Sequence, residues 1–95
     1  MGKTSFGVAD SVVKKLIEGE VINLEYELEN FAPINGEMEF LCSEIQSKIR
    51  VWYLQETTKY TEAEIEAMQA KANLIHYAIT VFNNANDICS ALMSR

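Results

Sequence analysis

The residues best suited to chemistry in this chain are its single histidine, His76, two cysteines, Cys42 and Cys89, and fourteen carboxylates. A histidine works as a general base only with a nucleophile or carboxylate within hydrogen-bond reach. On a helix the positions three and four away from His76 are Ala72, Asn73, Ile79 and Thr80, none of them acidic. The Glu-x-x-His pattern of carboxylate-bridged metal bundles is absent, because Asn73 stands where the Glu would be. The cysteines lack C-x-x-C spacing and no histidine lies a few residues from either, so a zinc site lacks ligands. They read as small apolar residues. No glycine-rich phosphate loop and no G-x-S-x-G elbow occurs. The acids form many possible pairs, and spacing singles out none. These residue types therefore predict a non-catalytic chain with no metal and no cofactor.

Charge is more informative. Lys plus Arg is 8 and Asp plus Glu is 14, a net charge of −6. That balance argues against a nucleic-acid binder, whose affinity comes from clustered cations on phosphates. Between Glu18 and Glu44 lie eight acids and no Lys or Arg. Glu25, Glu27, Glu29, Glu37 and Glu39 are expected to form an acidic surface at one end of the molecule. Such a field steers a basic partner, or else merely keeps the surface solvated.

The elements that must position these residues follow from composition and periodicity. Apolar residues make up 48% of 95 residues and charged residues 23%, which excludes ordinary disorder and fits one domain over residues 1–95. No run of about 18 apolar residues is present, so no membrane span is expected. The first residues lack the apolar core of a signal peptide. One Pro and four Gly are too few for the turns of an all-β chain.

The apolar spacing predicts three helices. Val13, Ile17, Val21, Leu24, Leu28 and Phe31 make one stripe, predicting a first helix over residues 9–31 with Gly19 inside it. Pro33 and Asn35-Gly36 break the chain, with Asn35 a candidate cap for the next helix. Met38, Leu41, Ile45, Ile49 and Trp52 predict a second helix over residues 36–55. Thr61 and Glu64 have capping-box spacing, with Tyr60 and Ile65 as a hydrophobic staple, and open a third helix over residues 61–93. The alternative is one unbroken helix from Gly36 to Met93. The third helix carries a heptad seam of Ile65, Met68, Ala72, Ile75, Ile79, Phe82, Asn86, Cys89 and Met93. A second stripe of Leu74, Ala78, Val81, Ala85, Ile88 and Leu92 accompanies it. The predicted architecture is all-α: an antiparallel three-helix bundle with a long C-terminal helix. Leu24, Leu28, Ile45, Ile49, Ile75 and Ile79 are the expected central core. Trp52, Tyr53, Tyr60 and Phe6 are expected to cluster at the end away from the acids.

A length mismatch then points to a partner. The third helix exceeds the second by roughly 20 Å at 1.5 Å per residue. With the turn near Thr58, the C-terminal turns are expected to run past the second helix. Phe82, Asn86, Ile88, Cys89, Leu92 and Met93 would form a partner-binding overhang, with Asn86 setting register. On this reading Cys42 and Cys89 lie too far apart within one chain for a disulfide, and truncation after Asn84 leaves the bundle folded.

A small, acidic, helical chain centred on the turn Ile34-Asn35-Gly36 resembles the WXG-type helical proteins, and their relatives that accompany LXG toxins in type VII secretion. The tryptophan, Trp52, lies inside the second helix rather than in the turn. Tyr60 and Glu64 match the spacing of the family's tyrosine-acid pattern, and near the C-terminus Phe82 and Asn86 share it. The resemblance implies a helical adaptor, chaperone or targeting partner of a secreted protein or toxin, cytoplasmic and exported, if at all, with its partner. The residues themselves leave two alternatives: an acidic inhibitor or immunity protein for a basic toxin site, and a structural homo-oligomer.

Overall fold

The computed structural model describes residues 2–60 and 65–95. It is all helical among them: α1 (Ser5–Glu18), α2 (Leu24–Glu27), α3 (Glu37–Thr57) and α4 (Ile65–Met93). The capping box at Thr61 and Glu64 lies outside the described residues.

The first helix is shorter than its apolar stripe predicts. Thr4 caps it by accepting a hydrogen bond from the Gly7 amide at 3.1 Å. It stops at Gly19, which adopts a left-handed φ of 74°. The Gly19 amide donates to Leu16 O at 3.2 Å and the Glu20 amide to Lys15 O at 2.8 Å. These two bonds are a Schellman ending, and glycine takes its left-handed residue without a Cβ penalty. Gly19 is therefore a terminator and not a tolerated interior residue. Val21, a member of the expected stripe, is 93% exposed.

Residues 20–36 run back along α1. The Lys3 amide donates to Asn30 O at 2.8 Å, and the Ser11 hydroxyl to both carboxylate oxygens of Glu27 at 2.9 Å. Asn23 caps the single turn of α2 by accepting from the Tyr26 amide. Ile22, Leu24, Leu28 and Phe31 then pack, half-buried, on the same core that a continued helix would have met. Gly36, at φ 84°, takes the N-cap position of α3 in place of Asn35 and offers no side-chain cap. Glu37 supplies a carboxylate instead, accepting from the Ile34 amide at 2.9 Å.

Side-chain contacts give the helix directions. Phe6 meets Phe40 edge-on with centroids 5.4 Å apart, and Asp10 pairs with Lys48 at 2.8 Å, so α1 and α3 run the same way. This is against the antiparallel order expected of the first two long helices, because residues 20–36 return along α1 before α3 begins. Gln46 donates to Asn86 at 3.2 Å, and Trp52 meets Tyr77 at 6.1 Å, so α3 and α4 run oppositely. Phe6 thus lies at the other end of the molecule from Trp52, against the expected aromatic cluster.

The core is built from Val8, Val12 and Leu16 of α1, Leu41, Ile45 and Ile49 of α3, and Val81, Ala85 and Leu92 of α4. Ile45 and Ile49 are interior as expected, whereas Ile75 and Ile79 face solvent. Of the two apolar stripes on α4, the second is the buried one. The overhang also lies at the opposite end of α4 from the one expected. Ala85, Cys89 and Leu92 are covered by the body, while the N-terminal turns of α4 extend beyond it. The result is elongated, 49 × 19 × 18 Å.

Candidate protein-docking face

The heptad seam of α4 divides in the structure. Its early members are open: Ile65 is 85% exposed, Met68 58%, Ile75 41% and Ile79 53%. Ala72 lies exposed between them, and a shallow depression is lined by Met68, Lys71, Ala72 and Ile75. The cause is angular. In the a/d frame, Ala78, Val81, Ala85, Ile88 and Leu92 occupy g and c positions, roughly a quarter to a third of a turn from the a/d seam. One helix cannot turn both stripes into the same core, and α1 and α3 take the g/c stripe. This exposed apolar strip is the candidate docking face.

The expected partner-binding residues fall elsewhere. Leu92 and Cys89 are interior, and Phe82 and Ile88 are half-buried against the core. Asn86 is exposed and accepts from Gln46 across the α3–α4 contact, so it pairs two helices of one chain. Met93 alone of the six is a large exposed apolar group, at 51%. The C-terminal overhang is therefore corrected to core.

The cysteines are neighbours, contrary to the distance expected of them. Cys42 Sγ lies 3.9 Å from Cys89 O. Burial, together with the adjoining Cys42 thiol, pushes the Cys89 thiol up to about 12. Both cysteines are free.

The expected acidic surface is also divided. Glu27 is not on the surface: it is 2% exposed, paired with Lys15 and held by Ser11. The Glu27 carboxylate, by hydrogen bond and charge, holds the Lys15 ammonium above its ordinary range, and Tyr26 packs its ring 4.8 Å from that ammonium. Glu25 pairs with Arg95 at 2.5 Å, and Glu37 is committed to the start of α3. Glu29 and Glu39 remain exposed. This partnering leaves less uncompensated charge than the sequence suggests.

His76 is exposed on α4, and no cluster of three or more His, Cys, Asp or Glu able to hold a metal occurs among the described residues. No described helix is long and apolar enough to cross a membrane. Sequence reasoning missed the buried Glu27–Lys15 pair and the hydroxyl of Tyr77, which donates to Ile17 O and ties α4 to the end of α1. The signal for the pair was present. Glu27 is flanked by the apolar positions Leu24, Leu28 and Phe31, which pack on the core. No known protein family, no characterised protein and no solved structure matches this chain.

Proposed function

We propose that the protein is a non-catalytic protein–protein interaction module: a three-helix bundle, with α3 and α4 antiparallel, that binds a partner helix along the outer face of α4. One observation carries this reading, the exposed a/d stripe of Ile65, Met68, Ala72, Ile75 and Ile79 on a helix whose other apolar stripe already fills the core. A 3.5-residue apolar repeat is the pattern by which one helix receives another, and it serves no purpose facing water. The adaptor or chaperone role for a secreted protein or toxin, acting in the cytoplasm before any export, is the biological setting we propose for that face. It is supported by the turn-centred resemblance to type VII helical partners. The inhibitor reading is less favoured, since Glu27, Glu25 and Glu37 are already engaged within the chain.

The test compares tagged wild-type protein with an Ile75→Asp/Ile79→Asp variant in capture from cells that make it, with bound proteins identified by mass. A partner retained by the wild type and lost by the folded variant is the expected result. Equal capture by both would remove the α4 face from the proposal.

A further inference from the structure

From residue 72 to residue 86, α4 contains no Asp, Glu, Lys or Arg, although charged residues make up 23% of the chain. Within that stretch the exposed Asn73, His76, Thr80 and Asn83 flank the seam, none of them a carboxylate. The chain as a whole carries a net charge of −6, so two copies meeting at most other surfaces bring carboxylates together. Along residues 72–86 they bring none, and over 65–71 the described seam adds the single carboxylate of Glu66.

The seam is also complementary to itself when reversed. In an antiparallel helix pair each a position meets a d position of the partner. Placing a two-fold axis between residues 73 and 74 sets Ile65 against Phe82 of the second copy, Met68 against Ile79, and Ala72 against Ile75. Each layer then occurs twice, and small Ala72 faces large Ile75 at the centre. The paired stretch, residues 65–82, is about 27 Å long. The α1 and α3 bodies cover α4 from about Tyr77 toward its C-terminus, so in the reversed pair they fall on opposite sides of the two-fold axis.

We infer that the occupant of this face is a second copy of the chain, bound through an antiparallel α4–α4 pair over residues 65–82. This rests on the docking-face reading above and names its partner.

Sedimentation equilibrium of the full chain across the micromolar range tests it. The wild type is expected to be a dimer. Ile75→Asp is expected to weaken it by about ten- to hundredfold or more, since one buried Ile is lost in each of two symmetric layers. The helix content of the monomeric variant by circular dichroism should match that of the wild type, because Ile75 does not support the core, and its melting midpoint should lose only the concentration-dependent part that dimerisation adds. Met93→Asp, on the same seam but beyond residue 82, should leave the dimer intact. For orientation, Ala72→Cys chains mixed with Ile75→Cys chains should cross-link on mild oxidation, and Ala72→Cys alone should not. A monomeric wild type overturns the inference while leaving the docking face to be judged by the capture experiment. Dissociation by Met93→Asp, or rapid cross-linking of Ala72→Cys alone, overturns the antiparallel register.

Discussion

Glu27 shows how one residue can change role between sequence and structure. In a span of eight acids without a cation it reads as part of a repelling surface, yet it is buried against Lys15 and Ser11. A buried carboxylate is tolerated only where partners replace its water, and the returning segment brings it to both. Replacing it by Ala removes a charge-assisted set of hydrogen bonds, and a loss of about 1.5–3 kcal/mol is expected in urea unfolding. Exposed Glu29→Ala should change stability by less than about 0.5 kcal/mol. Cys89 behaves as an interior thiol. Its folded-state value near 12 lies above the ordinary 9.0, so folding favours the protonated form. The stabilisation is fully present below pH 9 and is lost as pH rises toward 12. Unfolding midpoints followed upward from neutral pH should therefore fall across that window, and less so in a Cys89→Ala variant measured against its own neutral value. Iodoacetamide should label half-buried Cys42 before Cys89 in the folded protein, which peptide mapping would show.

At the scale of elements, the two ends of the chain are read with different success, for a physical reason. The apolar stripe predicts α3 over residues 36–55 and the helix spans Glu37–Thr57, because the stripe lies between the Pro33 to Gly36 break and the helix-start signal at Thr61. Helix α1 was predicted to continue to Phe31, because an apolar period does not reveal whether the chain continues or folds back. The residues after Gly19 keep their apolar character since they pack on the same core from a returning segment. The backbone at Gly19 makes the difference, and Gly19→Ala tests it. A Cβ there meets only the Tyr77 hydroxyl at 3.7 Å, so the expense is the left-handed φ, about 1–2 kcal/mol. A variant as stable as the parent would mean that α1 does not need this ending. The two stripes of α4 give a sharper contrast. Ile45→Ala, fully buried, should cost about 2–5 kcal/mol in thermal or urea unfolding. In the monomeric Ile75→Asp background, Ile79→Ala, 53% exposed, should cost under about 0.5 kcal/mol. Similar losses at both positions would place Ile79 in the core after all.

For the molecule as a whole, the decisive feature is a helix longer than the body it packs on. A compact chain of this length would have a radius of gyration of about 12 Å, and the Cα value here is 15.2 Å. X-ray scattering on the Ile75→Asp protein, the form expected to be monomeric, should return a value near the longer one. Truncation after Asn84 removes Ala85, Cys89 and Leu92 from the interior, so it should unfold the chain and not merely free it from a partner. Cooperative melting of the truncated protein at the parent's midpoint would contradict the placement of α4.

Helical class, the break at Pro33 to Gly36, the extent of α3, the C-terminal end of α4, and the presence of two apolar stripes on α4 were determined by the sequence alone. Periodicity and turn chemistry are local properties, and neighbouring residues express them wherever the chain goes. Three matters were decided only by tertiary structure: which α4 stripe is covered, which end of α4 protrudes, and which acids keep their charge exposed. Each depends on the direction in which α1 and the segment after Gly19 return to the body. That direction is set by a Schellman ending at one glycine and by the pairing of Lys15 with Glu27, twelve residues further along the chain.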